Sequence, residues 1–347
     1  MNFSKKIINW YKKNGRKLPW RNTNDPYYIL VSEFMLQQTK ISQVLKYYLK
    51  FINKFSSIND LAKSKEEEVL KEWEGLGYYS RARNLLNFAK NIVNIGFPNK
   101  YEDLIKYKGI GSYIAGAVSS ICFNEIVPAI DGNAYRFFSR YLGIYKNAYF
   151  FKSKKFTKLV INIMDHNYPG IFNQAVMDIG STLCTPRKYK CSLCPVSNNC
   201  FSKKNNKIYQ LPLKMNKMIK NKSCKFFYYF FINFQKKFFI KKRSIDNNIW
   251  KNLYDFPGIE SNKYLNFNDK ISININDISI KIHGDFFEKK YNISNKIIFV
   301  KIYNCEIFKH NTESIFHKKN ILISSKEIIK YPFPKPILFF FKYKKII

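Results

Sequence analysis

Acidic residues are scarce: 24 Asp and Glu stand against 60 Lys and Arg, a formal net charge of +36 over 347 residues. No run of about 18 uninterrupted apolar residues occurs, which excludes a membrane-spanning helix on hydropathy. The densest run, Phe226 to Phe234, is too short and is interrupted by Asn233. The first twenty residues hold lysines but no apolar core segment, so no secretory signal is expected. No repeat of solenoid period is present. Nothing points to an oxidising compartment, which disfavours disulfides among the seven cysteines.

What is present is a chain able to bury a core, since apolar residues make up 46%. Its length fits two domains. A charge excess of this size points to a polyanion, either nucleic acid or an anionic membrane surface. The charge does not locate a site: residues 1–211 carry 33 basic and 14 acidic side chains, and 212–347 carry 27 and 10. The abundance of Lys, Asn, Ile, Phe and Tyr also matches A/T-rich codons, so compositional drift competes as its source.

The first two hundred residues read as helical. Asn24-Asp25-Pro26 is an N-cap followed by Pro at the first helical position, after which Leu30, Phe34, Gln37 and Ile41 share one helical face. Further helices are expected near 43–54, 65–73, 80–94, 113–123, 133–141, 153–166 and 170–181, punctuated by Gly and Pro. Residues 206–223 fall in a Lys/Asn-rich linker, and from Cys224 the pattern turns to strands. Phe226–Phe234 and Lys237–Lys242 flank Gln235-Lys236 as a hairpin, Lys296–Asn304 is another strand, and Ser325–Ile329 starts a short helix. A mainly α domain, 1–205, therefore precedes an α+β domain, 224–347.

Four cysteines lie within 17 residues: Cys184, Cys191, Cys194 and Cys200. Four thiolates this close suit a tetrahedral metal centre, zinc or an iron–sulfur cluster. Such a centre would stiffen a loop, 184–200, on which Arg187, Lys188 and Lys190 can meet phosphates. Cys122, Cys224 and Cys305 read as ordinary buried thiols.

Between two helical stretches lies Lys108-Gly109-Ile110-Gly111-Ser112-Tyr113. Two glycines there allow a tight turn that offers backbone N–H groups to a phosphate at a helix start, though an ordinary helix–helix turn looks the same. Asp131 precedes Gly132-Asn133. It is either an N-cap or, if Asn133 caps instead, free to face a cleft. Glu33 interrupts the apolar stretch Ile29 to Leu36; the residues alone favour a solvent-facing carboxylate over one held for chemistry.

Together these pieces resemble the helix-hairpin-helix DNA glycosylases, and among them the adenine DNA glycosylases of the MutY type. The resemblance rests on Leu18-Pro19-Trp20-Arg21, on 32–39, on 75–85, on the hairpin, on Asp131-Gly132-Asn133, on 172–180 and on the four cysteines, in order over about 1–211. It implies a [4Fe–4S] cluster on Cys184, Cys191, Cys194 and Cys200. It also implies hydrolysis of the N-glycosidic bond of adenine opposite 8-oxoguanine or guanine in duplex DNA. In that reading Glu33 donates a proton to the base and Asp131 stabilises the oxocarbenium-like sugar. Tyr113 and Asn133 help position the sugar or Asp131. Tyr113 stands where the endonuclease III branch has a Schiff-base lysine, so a monofunctional enzyme is implied; a monomer is expected. Gln37 or Gln38 and Tyr78 or Tyr79 fill the gap left by the flipped base, Arg21 contacts the adenine, and Lys108, Gly109 and Gly111 face the backbone.

Residues from about 224 resemble the family's Nudix-like domain, which reads 8-oxoguanine. No acidic Nudix box follows Pro257, so pyrophosphate hydrolysis is not implied. The lesion-reading Phe-Ser-His motif aligns with Ile293-Ser294-Asn295, where only Ser294 is retained, and Lys108 replaces the family's usual proline. Ser294 and Asn295 can still hydrogen-bond a lesion. A glycosylase whose second domain has lost lesion reading is one alternative, and two rival functions remain. An endonuclease III-like lyase on oxidised pyrimidines is opposed by Tyr113, Glu33 and the second domain. A non-enzymatic iron–sulfur DNA-binding protein is opposed by the intact pair of carboxylates.

Overall fold

The structure, a computed structural model, describes residues 2–213, 222–244, 246, 249–267, 272–275, 278–293, 296–310 and 320–347. Its contacts divide the chain into two compact units. One joins Met1–Lys63 with Asn84–Asn216, the other Ser64–Arg83 with Lys217–Ile347.

The first unit is helical. Asp25 caps the Pro26–Leu36 helix by accepting the Tyr27 N–H at 2.8 Å, as the Asn-Asp-Pro signal predicts. That helix is apolar almost all round and buries Ile29 through Met35, so it runs through the core rather than over it. The helix ends at Leu36, however. Gln37 has an extended ψ of 110° and Gln38 a φ of +56°, so Gln37 and Ile41 do not continue its face. A new helix, Ile41–Lys54, starts there and buries Val44, Tyr48 and Phe51 at helical spacing. Residues 3–14, for which no individual helix was placed, form a helix that buries Ile7 and Ile8.

The Pro169–Thr182 helix organises the remainder. At Gly180 a Cβ atom would come 2.7 Å from the Asn133 carbonyl oxygen, so only glycine lets this helix approach the start of the Gly132–Leu142 helix. Two turns earlier on the same helix, buried Asn173 takes the Ala129 N–H at 3.0 Å and donates to the Val127 carbonyl at 2.9 Å and to Ser120 Oγ at 2.9 Å. These bonds satisfy an irregular backbone segment that has no ladder of its own. That segment delivers Asp131.

The second unit is α+β. Its strand order is Tyr254–Asp255, Lys237–Lys242, Ser223–Phe234, Lys296–His310, Ile278–Ile293, Ser272–Ile275, with Gly258–Ser261 and Asn320–Ser324 paired off this path. Ser223–Phe234 runs parallel to Lys296–His310, from Ser223 opposite Lys296 to Ile232 opposite Cys305. The unbroken apolar run has a simple cause: Phe227, Tyr229 and Phe231 enter one core and Tyr228, Phe230 and Ile232 another. A strand covered on both faces needs no polar alternation. Gln235 and Lys236, at φ +49° and +61°, make the expected tight hairpin turn. Ser325–Lys330 forms a 3₁₀ turn, and Lys335–Tyr343 adds a helix that the sequence reading lacked.

Inside this unit Arg243 is buried between Asp255 and Glu260, at 2.5 Å from each. The neighbouring Trp250 and Asn252 adopt left-handed φ values of +55° and +61°, a conformation that glycine reaches without strain.

Replacing Asn173 by Ala should cost about 1–3 kcal/mol for each buried backbone group left unpaired, read as a lowered urea midpoint.

Candidate active site

Glu33 and Asp131 come from different elements of the first unit and line one cavity of about 560 Å³. The solvent-facing reading of Glu33 fails, because its helix is surrounded by protein and the residue is only 6% exposed. Its Oε2 has no hydrogen-bond partner. Burial disfavours the charged form, and the Glu33 carboxyl is pushed up to about 7. The Tyr113 hydroxyl and Arg21 pull it down and the charge of Asp131 pushes it up, both less than burial does.

Asp131 resolves its two alternatives by taking both. It is the N-cap of the Gly132–Leu142 helix: Oδ1 accepts the N–H groups of Asn133 at 3.0 Å and Ala134 at 2.7 Å. It also lines the cavity. Asn133 is therefore not the cap. Its side-chain amide instead donates to Asp131 Oδ2 at 2.7 Å. Burial raises the Asp131 carboxyl above its ordinary value, while these three hydrogen bonds and Arg136 hold it down. Both carboxyls are thus shifted upward, but Asp131 accepts three hydrogen bonds that favour its anion, whereas Glu33 Oε2 accepts none.

Arg136 supports this arrangement and was not anticipated. Its guanidinium donates to Asn133 Oδ1 at 2.9 Å, to the Gly180 carbonyl at 2.5 Å and to the Cys184 carbonyl at 2.7 Å. A second network was also missed. Arg21 donates to Tyr11 Oη at 2.8 Å and to Gln174 Oε1, and its Nη2 lies 3.4 Å from Asp178 Oδ1. Fully buried Asp178 accepts from Arg16 through the backbone N–H at 2.9 Å, Nε at 3.0 Å and Nη2 at 2.5 Å. Gln174 and Asp178, four residues apart on an apolar helix, were the available signal.

Tyr113 lies half-buried beside Glu33, its hydroxyl 3.6 Å from Met177 Sδ. In the hairpin Gly109 has a φ of +94°, and a Cβ there would strike Asn84. Gly111 starts the Ser112–Phe123 helix with open space around its Cα, and Lys108 is exposed. Gln37 reaches the hairpin, donating to the Gly109 carbonyl at 3.3 Å, whereas Gln38 is exposed; both line the cavity.

In the second unit Tyr78 is 49% exposed, while Tyr79 is buried at 7%. Ser294 and Asn295 lie outside the described residues.

Cys184, Cys191, Cys194 and Cys200 line a separate cavity with Arg140 and Tyr141. Arg140 Nη1 lies 3.4 Å from Cys184 Sγ. Among the described residues no three His, Cys, Asp or Glu side chains converge on a point that would hold a single ion. A donor set of four sulfurs suits a tetrahedral metal centre, zinc or an iron–sulfur cluster. Arg187, Lys188 and Lys190 are exposed on this loop. Of the other cysteines only Cys305 is the buried thiol expected; Cys122 is partly buried and Cys224 exposed.

Residues 31–159 match the family model of the HhH-GPD superfamily base excision DNA repair proteins. The adenine DNA glycosylase of Buchnera aphidicola subsp. Baizongia pistaciae is 36% identical over 328 residues, covering 92% of this chain and 91% of its own. The adenine DNA glycosylase of Arabidopsis thaliana is 42% identical over 223 residues, 56% of this chain and 35% of its own. A thermostable thymine-DNA glycosylase structure superposes with a TM-score of 0.53 at 28% identity, covering 58% of this chain and 95% of that one. The helical fold, the facing carboxyls and a likeness that runs through both units agree: the chain belongs to the adenine DNA glycosylases of base excision repair.

Proposed function

We propose that the chain removes adenine paired with 8-oxoguanine, or with guanine, from duplex DNA by hydrolysis without strand cleavage. The observation that carries this reading is the pair of unlike carboxyls on one cavity. Glu33 is poised near neutrality by burial, and Asp131 is tied by three hydrogen bonds to its oxygens.

Adenine leaves poorly as an anion. A protonated Glu33 delivers its proton to a ring nitrogen of the flipped base as the bond from sugar to base breaks, and the bonding pair departs with the base. The sugar is left as an oxocarbenium-like cation. Asp131, ionised and fixed by Asn133 and the helix start, stabilises that charge or forms a covalent bond to it until water attacks. Asn133 and Arg136 act by holding Asp131 in place. Tyr113 has no amine, so no Schiff base forms and the sugar–phosphate chain stays intact. Arg21 contacts the adenine from its place between Gln174 and Asp178. Gln37 or Gln38 and Tyr78 fill the gap left by the extruded nucleotide, with Gly109, Gly111, Lys108, Arg187 and Lys188 on phosphates. Cys184, Cys191, Cys194 and Cys200 hold a [4Fe–4S] cluster, which braces the 184–200 loop and takes no part in hydrolysis. In this reading 1–205 is the catalytic domain, 206–223 a linker, and 224–347 a Nudix-like domain that reads the lesion through Ser294 and Asn295. The chain works as a monomer.

Adenine release from an A:8-oxoguanine duplex, with none of thymine glycol from a matched duplex, is the expected result; the reverse would sink the reading. Sodium borohydride should trap no stoichiometric adduct. Single-turnover release should fall about tenfold per pH unit above about 7, as Glu33 loses its proton, and should fall again in acid as Asp131 gains one. Glu33→Gln should slow release by about 10²–10⁴-fold and abolish the alkaline limb. The same change has an opposite effect on stability. A carboxyl whose folded value is raised stabilises the fold below its unfolded value and loses that contribution as pH rises through about 7. Glu33→Gln should therefore gain about 3 kcal/mol over wild type between about pH 5 and pH 8, measured by urea unfolding.

A further inference from the structure

We propose that Glu74, Tyr79 and Arg81 are positioning residues that hold Tyr78 in the pose in which it enters the duplex, and that the backbone of Phe333 is their anchor. The proposal rests on the reading of Tyr78 as a wedge given above.

The turn that carries Tyr78 is unusual. Gly75, Gly77 and Tyr78 have φ values of +91°, +79° and +49°. A bulky residue in the left-handed region is rare, and it persists only where its surroundings over-determine it. Two groups converge on the Gly77 carbonyl: Trp73 Nε1 at 3.2 Å and Arg81 Nη2 at 3.0 Å. The buried Arg81 guanidinium also lies 5.4 Å from the Trp73 ring centre and 5.5 Å from that of Tyr78. The exposed Tyr78 ring therefore has a planar cation fixed against it from inside the turn.

On its other side the turn is fastened to residues far along the chain. Glu74 Oε1 accepts the Phe333 N–H at 2.6 Å, and the Tyr79 hydroxyl donates to the Phe333 carbonyl at 3.4 Å. That same hydroxyl accepts the Gly75 N–H at 3.1 Å. Lys71 completes the clamp, pairing with Glu74 Oε2 at 2.9 Å and donating to the Tyr331 carbonyl at 2.9 Å. Both polar backbone groups of Phe333 are thus taken by the turn, while its side chain is fully buried in the core beneath Ser223–Phe234, among Ile337, Phe340 and Phe341. Residues 64–83 accordingly pack as part of the second unit. The wedge is carried by the unit that reads the lesion, so intercalation and lesion reading are displacements of one body. A partner base that seats well against that body also seats Tyr78.

The test uses the full chain in a Glu33→Gln background, in which base release is slow, on an A:8-oxoguanine duplex with 2-aminopurine as the base next to 8-oxoguanine. Insertion of Tyr78 unstacks the probe and raises its fluorescence. Glu74→Gln and Tyr79→Phe, the second keeping its ring in the core, should each lower the enhancement at saturating protein by about twofold or more. In the otherwise wild-type chain each should cut the rate preference for A:8-oxoguanine over A:G by about fivefold. Tyr78→Ala should abolish the enhancement. Full enhancement in Glu74→Gln and Tyr79→Phe, with none in Tyr78→Ala, would overturn the anchor and leave the wedge. Full enhancement in Tyr78→Ala would overturn the wedge itself.

Discussion

A single carboxyl kept in an apolar helix sets the terms for the rest of this structure. Glu33 sits among Val31, Phe34 and Met35 on a helix buried on every side, and one of its oxygens meets no donor. Leaving a buried polar atom unpaired is costly, and the ordinary remedy is to add a partner or to expose the group. Here neither happens, and the group answers by holding its proton more tightly.

The opposite solution is applied to the second carboxyl. Asp131 is locked at a helix start whose position depends on a close crossing at Gly180, and Arg136 ties Asn133, Gly180 and Cys184 into one frame. Through Arg136 the backbone of the first clustered cysteine contacts the residue that orients Asp131. The 184–200 loop and the cavity of Glu33 and Asp131 therefore share a strut, although the two cavities are separate.

Much of this was legible in the sequence, and the reasons for the rest are specific. Helices announced by a cap and a proline, such as that starting at Pro26, were readable because capping is local. The hairpin at Gln235-Lys236 was readable because two β-rich runs flank a two-residue gap. Glu33 was misread from its surroundings alone, because burial is a tertiary property and an apolar flank fits a surface helix as well. The alternatives posed for Asp131 were not exclusive, since a cap spends one oxygen and leaves the other. Arg136, Gln174 and Asp178 escaped notice because their partners lie far away in sequence, and a polar residue on an apolar helix does not name its partner. The membership of 64–83 in the second unit was invisible for the same reason.

In a chain so poor in acids, several of the few are gathered on one short helix. Glu66 accepts from Asn252, and Glu67 from Lys242 and Tyr254 Oη. With Glu74 on Phe333, they stitch an early segment to residues some 170 to 260 positions later. The second unit is therefore discontinuous in sequence. A protease cut within 206–223 would not part the chain into its two packing units. It would leave the Tyr78 turn on the N-terminal fragment, separated from the backbone groups that shape it. The covalent boundary and the mechanical boundary of this enzyme are different places, and only the second decides what moves together.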